Sequence, residues 1–589
     1  MIGARAALLL FLAIIAAAPL LLAQHPFYIT LMNYVALATL VSLGLVLLTG
    51  VVGLMSFGQQ AFTGLAAYTT AVLTTLYGTS PWIALLAALA VTALAGLILG
   101  LISLRLSGHY LALATIAWGI SLFYVFGNLT ILGQFTGIGN IPTVAAFGLT
   151  FDTAAKSYYL NWIFTIAALL AARNLLDSRS GRAIRALRFR GVMAESVGVD
   201  TGALKFLVFL YAALLAGLSG WLYAQYLGFV SPQAFDVNAG IDYLFMAVIG
   251  GASHVWGAVV GAALLTVLNE WLKDLLPRLF QQTGNYEIVA FGLLMMMLLH
   301  RAPDGLMPVF ARLLRARTSG SRPPVLPALA RRARPQPGEL LLEVRSAGKR
   351  FGGLVAVRDL SFEINSGEIL GLIGPNGAGK STMFNLISGM LRSDGGEILF
   401  RGERIDHLRP RQIARRGIGR TFQLVNLISA MSVLENVALG AHLRGRQGTL
   451  AAMLRRERKE EAQLLSEATR EIDRVGLGEH LYEAAGSLAL GQQRIVEIAR
   501  ALCTDPVLLL LDEPAAGLRF AEKQALAQLL RQLRAEGMSI LLVEHDMEFV
   551  MGLVDRLVVM DFGEKLAQGL PSEIQADPAV LEAYLGGIE

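Results

Sequence analysis

The chain has 589 residues, 55% of them apolar and only 16% charged, with a formal net charge of +5. That length allows three or four domains, and that charge content lies far below the soluble average. The arginines gather at 173–190 and 312–334, beside hydrophobic segments, which points to membrane orientation and away from nucleic acid. The one cysteine, Cys503, has no internal disulfide partner. Its surroundings, IARALCTDP, read as a buried helix with the thiol as a small core residue.

Charge is nearly absent over long runs of residues 1–300 and ordinary from about 340 onward, so a membrane domain precedes a soluble one. Runs near the ~20 apolar residues of a spanning helix fall at 6–23, 29–52, 57–77, 82–104, 109–127, 158–176, 204–228, 255–272 and 286–300. The first, with its Arg5 flank and APLLLAQ tail, fits either a cleaved signal peptide or an uncleaved anchor, and the polytopic remainder favours the anchor. The loop carrying Arg173, Arg179, Arg182, Arg185, Arg188, Arg190 and Lys205 is cytoplasmic by the positive-inside rule, and so is Arg105 two crossings earlier. The segment 128–157 is poor in Lys and Arg and falls outside. A cytosolic end for the soluble half then requires IDYLFMAVIGGASHVWGAVVGAALL to be two elements broken at Gly250-Gly251. Short glycine-broken segments line substrate paths rather than face lipid. GLMSFGQQAFTGLAAY, near 53–68, is a second one, and the total is about ten membrane elements.

Asn33, Ser56, Gln59 and Gln60 suit either a pathway lining or hydrogen bonds between helices. Glu270, Lys273 and Asp274 read as markers of the membrane surface, and His109 and His254 as interfacial. In SGRAIRALRFRGVMAESVGVD, Ile184, Leu187, Val192 and Val197 recur at helical spacing. That predicts a short amphipathic helix suited to docking. Residues 312–338, rich in Pro, Arg, Gly and Ser, predict a flexible or polyproline-like connector. The expected limits are a permease-type domain at 1–310 with its cytoplasmic loop at about 178–205, a linker at 311–338 and a soluble α/β domain at 339–589.

The soluble half opens its chemistry with GEILGLIGPNGAGKST, a strand, a glycine loop and a helix start. Gly374, Pro375, Asn376, Gly377, Ala378, Gly379, Lys380, Ser381 and Thr382 form a P-loop. Its backbone N–H groups wrap phosphates, Lys380 reaches the β- and γ-phosphates, and the Ser381 hydroxyl can bind Mg²⁺. VLLLLDEP is a buried parallel strand ending in Asp512 and Glu513, at the edge where such sheets bind ligands. Asp512 would hold Mg²⁺ and Glu513 would polarise the attacking water. His545 follows another buried strand, SILLVEHDM, as a γ-phosphate sensor. Gln423 in GIGRTFQ adds a metal and water contact, and Phe351 a ring to stack on adenine.

These motifs, in this order, resemble the nucleotide-binding domain of ABC transporters over about 340–589. The stretches RTFQLVNLISAMSVLENV, LALGQQRIVEIARAL and LLVEHDMEFVMGLVDRLVVMDFGEKLAQGLPSEI narrow the resemblance to the ATPases of branched-chain amino acid importers. Residues 30–300 resemble the permease of the same systems, through GLMSFGQQAFTGLAAYTTAVL, GHYLALATIAWGI, AGLSGWLYA and VIGGASHVWGAVVGA. The resemblance implies a polytopic α-helical permease fused to an α/β P-loop ATPase, in a bacterial cytoplasmic membrane with the ATPase in the cytoplasm. It also implies an ATP-driven importer using ATP and Mg²⁺ to move a branched-chain or hydrophobic amino acid brought by an external solute-binding protein. Urea, short amides or another small carboxylate are alternative substrates, and an exporter half-transporter is the reading from another class.

By resemblance the arginine loop, with Gly181, Arg182, Arg185 and Glu195, corresponds to the coupling helix. The signature turn Leu488, Ala489, Leu490, Gly491 and Gln492 would face ATP on a second ATPase, with alanine where a serine is common. A lost hydroxyl forfeits about 1.5–3 kcal/mol at most. One permease and one ATPase make half a transporter, so a second permease and a second ATPase, as distinct chains, are expected. Two stretches depart from the family: Arg519-Phe520 in AAGLRF, and ILGQFTGIGNIP.

Overall fold

The computed structural model describes residues 2–104, 106, 108–146, 148–188, 190–280, 286–309 and 322–585. They divide into two compact units, Met1–Asp177 with Gly202–Thr318, and Ser178–Thr201 with Ser319–Glu589.

The first unit is helical. In chain order it holds α1 (Ile2–Leu21), α2 (Pro26–Leu45), α3 (Gln59–Thr75), α4 (Pro81–Ser103), α5 (His109–Asn128) and α6 (Ala154–Leu176). A two-residue hairpin, β1 (Ala145–Ala146) with β2 (Leu149–Thr150), precedes α6. Two short helices, α7 (Arg179–Ala186) and α8 (Gly191–Ser196), belong to the second unit. Then come α9 (Thr201–Leu227), α10 (Val237–Gly251), α11 (Gly257–Phe280) and α12 (Tyr286–Arg301). Among the described residues, five helices are long and apolar enough to cross a membrane: Pro26–Val51, Pro81–Ser103, His109–Asn128, Ala154–Leu176 and Thr201–Leu227.

Both expected interruptions are present. The chain breaks after Gly251, whose φ is 116°, so α10 has only 15 residues. Glycine is required here: a Cβ on Gly250 would lie 1.8 Å from the Gly257 carbonyl oxygen, and one on Gly261 1.8 Å from that of Met246. At the other site, α2 runs into a π-helical turn, Val46–Val51, and the backbone is irregular until α3 begins. Asn33 serves as a hydrogen-bonding link between helices, donating to the Ala154 carbonyl and accepting from Asn161 at 2.8 Å. Gln59 and Gln60 are fully buried, and their side-chain amides have no hydrogen-bond partner among the described residues. Glu270 pairs with Lys273 at 2.9 Å. Arg105, used above for orientation, lies outside the described residues.

The second unit contains two sheets built from β3 (Leu340–Phe351), β4 (Leu354–Asn365), β5 (Ile369–Ile373), β6 (Gly395–Phe400), β7 (Glu403–Arg404), β8 (Ile418–Arg420), β9 (Leu508–Asp512), β10 (Ser539–Val543), β11 (Arg556–Asp561) and β12 (Glu564–Gly569). Strands β4-β3-β6-β7 form an antiparallel sheet. Strands β12-β11-β5-β10-β9-β8 form the other, parallel except for β12. Every residue of β5, β9 and β10 is buried, which explains the unbroken Ile/Leu/Val runs: a parallel sheet is covered on both faces. A separate helical core joins Val433–Gly440, Arg458–Arg474 and Leu490–Leu502 around Cys503. Burial pushes the Cys503 thiol up, in keeping with a core residue.

The connector departs from expectation. Its first part, 310–321, lies outside the described residues. From 322 to 338 it has no helix or strand, yet it is strapped to the α/β domain rather than free. The Leu326 N–H donates to Ser466 at 3.0 Å, the Arg332 N–H to Asp505 at 2.7 Å, and Leu329 packs on the helical core. Polar composition hid backbone donors that neighbouring acidic and hydroxyl side chains satisfy.

Candidate functional site

The glycine loop follows β5 and leads into the helix Lys380–Ile387. Gly374, Gly377 and Gly379 all have positive φ, and a Cβ on Gly379 would lie 2.3 Å from the Ala356 carbonyl oxygen. Only glycine allows the backbone to turn its N–H groups inward there. Pro375, Asn376 and Ala378 complete the turn, and the Lys380 ammonium donates to the Gly374 and Pro375 carbonyls at 2.7 and 2.8 Å. Burial lowers the Lys380 pKa, opposed by the nearby Glu513 and Asp512 carboxylates. Ser381 and Thr382 follow in the first turn of the helix, with their amides at its positive end.

Parallel strands bring the acids to the same edge. Asp512 ends β9 and is buried, and its Oδ1 has no hydrogen-bond partner among the described residues. Burial pushes its carboxyl up to about 6, against the pull of Arg420. Glu513 is in the left-handed conformation at φ 47°, a strained choice typical of functional turns. Its Oε1 accepts from Gln423 Nε2 at 3.1 Å, and its Oε2 is 3.8 Å from Nδ1 of His545, which is largely exposed. The structure thus gathers Gln423, Asp512, Glu513 and His545. Phe351 is half-exposed at the end of β3, 5.7 Å from the Lys349 ammonium.

Two arginines frame this set that sequence reasoning did not single out. Arg494 donates to the carbonyl oxygens of Glu513 at 2.9 Å and Gln423 at 3.2 Å, tying the two turns together. Buried Arg420 lies 4.9 and 4.6 Å from the ring centres of Phe384 and Phe422, and donates to Asn385 at 3.0 Å. Burial lowers its pKa to about 10 while Asp512 opposes the fall. A lone arginine beside aromatic and polar neighbours in GIGRTFQ was the available signal, but its partners lie far off in sequence.

The signature turn leads into Leu490–Leu502. Leu488 is buried, and Leu490 is exposed. Ala489 takes the N-cap position without a side-chain cap, and its N–H instead donates to Gln492 at 3.2 Å. A Cβ on Gly491 would lie 2.9 Å from Glu522. Beyond the acid pair, the Arg519 N–H donates to Glu522 at 2.8 Å and Phe520 is exposed.

The arginine loop packs within the same unit as the α/β domain. It forms two short helices, α7 and α8, rather than one. Arg182 forks onto Glu461, Arg185 reaches Glu435 at 2.8 Å, and Arg179 donates to the His442 and Gln447 carbonyls. Ile184, Leu187 and Val197 are buried, but Val192 is exposed: the break between the helices turns it out of the apolar stripe. Gly181 N–H donates to the capping Ser178 hydroxyl. Glu195 turns inward, accepting from Thr201 at 2.6 Å. The loop closes on Gly198, φ 91°, where a Cβ would strike Leu443 at 2.2 Å.

Residues 27–299 match the family model for the permease component of branched-chain amino acid transport systems. Residues 357–516 match that of ABC transporters, and 564–589 that of branched-chain amino acid ATP-binding cassette transporters. The high-affinity branched-chain amino acid transport ATP-binding protein LivG of Escherichia coli (strain K12) is 44% identical over 42% of this chain and 98% of its own length. BraF of Pseudomonas aeruginosa, of the same description, is 41% identical over the same shares. A crystal structure of a nucleotide-free ATP-binding cassette from an ABC transporter aligns at 31% identity over 42% of this chain and 99% of that one, with a TM-score of 0.38. Matched along both halves, the chain belongs to the branched-chain amino acid ABC transporter family, with permease and ATP-binding parts fused in one polypeptide.

Proposed function

We propose that this chain supplies one permease and one ATPase to an importer of branched-chain amino acids in the bacterial cytoplasmic membrane, with the ATPase half in the cytoplasm. ATP hydrolysis coupled to transport follows from the family. The observation that carries the reading is the joining, in one unit, of the Gln423–Asp512–Glu513–His545 cluster and the docked arginine loop.

In this reading, Lys380 and the loop amides hold the phosphates, and Phe351 stacks on the base. Glu513 orients and polarises the attacking water, with Gln423 and His545 fixing its carboxylate. The orphaned Asp512 Oδ1 fits a Mg²⁺ site, together with Ser381 and Gln423, because Mg²⁺ takes few protein oxygens and completes its shell with phosphate and water. Bound there, the ion would neutralise charge on the phosphates. Movement at Gln423 would reach the helical core on which α7 is seated.

The signature turn, Leu488 to Gln492, would close on nucleotide held by a second ATPase. The partners are therefore that ATPase, a second permease as a distinct chain, and an external solute-binding protein.

The test is uptake of labelled L-leucine by proteoliposomes holding the full chain with its partner subunits and binding protein. ATP-dependent uptake that Glu513→Gln abolishes is expected. Uptake unaffected by that change would sink the proposal.

A further inference from the structure

A cavity of about 440 Å³ lies inside the permease half, between α2, α3, α9, α10 and α11. Its size is that of small-molecule sites. Its lining combines apolar Leu31, Leu37, Met246 and Leu265 with the acids Asp242 and Glu270.

Ionisable groups on membrane helices are costly, and they mark function by default. Here the two acids differ. Glu270 is neutralised by Lys273 at 2.9 Å. Asp242 is half-buried and makes no side-chain hydrogen bond or ion pair among the described residues. Lys273 also acts on Asp242 at longer range, but one cation beside two carboxylates leaves one negative charge to balance, in a cavity that also offers aliphatic side chains.

Position agrees with a substrate site. Asp242 is in the first half of the short arm α10, which ends at the glycine-tight break of Gly250-Gly251, and such broken elements line paths rather than face lipid. The lining residues Phe27 and Tyr223 lie at the start of α2 and near the end of α9. Asn33 of α2 bonds to Ala154 at the start of α6, so the cavity lies towards the ends where α2 and α6 begin and α9 finishes, next to the segment 128–157 read above as external. That is the side from which a delivered solute would arrive.

We infer that this cavity binds a small molecule through a protonated primary amine held by Asp242, with an aliphatic group against Leu31, Met246 and Leu265. It rests on the import reading, and it deepens it: the permease itself, and not only an external binding protein, selects for the ammonium group.

The test uses the full chain with its partner subunits, without binding protein, in nanodiscs of phosphatidylcholine and phosphatidylglycerol. Direct binding of tritiated L-leucine is measured. On the wild-type complex, 3-methylbutylamine should displace leucine and 4-methylpentanoate should not. Asp242→Asn should raise the leucine Kd at least tenfold, and Thr266→Phe, which fills the cavity without changing charge, should do the same. Equal displacement by 4-methylpentanoate, an unchanged Kd in Asp242→Asn, or no leucine binding would overturn the inference. Competition from phosphatidylethanolamine in the nanodisc would assign the ammonium to lipid, which also overturns it. Uptake with the binding protein is run in parallel. Uptake without direct binding leaves the import reading standing while the cavity falls, whereas absent uptake removes the import reading itself.

Discussion

Arg182 and Glu461 form a forked ion pair, with Arg182 Nη2 3.1 Å from Glu461 Oε2 and side-chain exposures of only 4% and 12%. The arginine comes from the short helix α7, and the glutamate from Arg458–Arg474 of the ATPase half. Removing one partner of a buried pair strands the other charge, at a cost of about 3–5 kcal/mol. Arg182→Ala should therefore loosen the seat of α7, seen as faster hydrogen exchange across 178–201 and 458–474. The double change with Glu461→Ala should recover part of the loss. Protection equal to wild type in the single variant would refute a structural role for the pair.

Glu513→Gln keeps the shape of the turn and removes the charge. ATP hydrolysis should fall by about 10²–10⁴-fold, with nucleotide binding retained, as read by single-turnover assay and by equilibrium titration.

Arg494 acts one step back, holding the Glu513 and Gln423 carbonyls. Lysine keeps the charge but has no planar fork. Arg494→Lys should lower kcat by about tenfold, the effect of losing roughly 1.4 kcal/mol, with the ATP KM little changed. Hydrolysis at the wild-type rate would show that the tether does not position Glu513.

Ala489 stands at an N-cap that no side chain fills. Serine there should stabilise Leu490–Leu502 by about 0.5–2 kcal/mol, measured as slower hydrogen exchange in that helix. It should also tighten ATP at the interface with a second ATPase. No change in exchange would mean that the Gln492 contact already satisfies the turn.

His442 gives a pH signature. Burial, with Arg179, Arg182 and Arg415 nearby, pushes its pKa from 6.5 down to about 3, and its Nδ1 is buried without a hydrogen-bond partner among the described residues. Below pH 6.5 the unfolded chain takes up a proton that the folded site refuses, so stability should fall as pH drops. The slope is up to about 1.4 kcal/mol per pH unit, and the contribution is nil above pH 6.5. Denaturant titrations at pH 5.5 and 7.5 should show a smaller drop for His442→Gln than for wild type.

Much of the site was legible because its chemistry sits in short runs. The P-loop, the acid pair after four leucines, and the histidine after the next strand each announce themselves within about ten residues. So did the break at Gly250-Gly251, because a 15-residue arm is too short for an ordinary span. Arg494, Arg420 and the strapped connector were not legible, because each depends on partners that only folding brings near. Val192 shows the same limit from the other side: helical spacing assigned it to the buried stripe, and a break in the helix exposed it.

The sequence by itself determined the two-part architecture and the place of the glycine-loop and acid-pair motifs, since apolar run length and loop chemistry are local properties. Only the tertiary structure decided which charges meet. It set Arg182 against Glu461 across 279 positions of sequence, and it placed Asp242 on a cavity lining with no hydrogen bond or ion pair among the described residues. The reason is that an ion pair depends on distance in space and on the water excluded around it, and neither is written in the order of the residues.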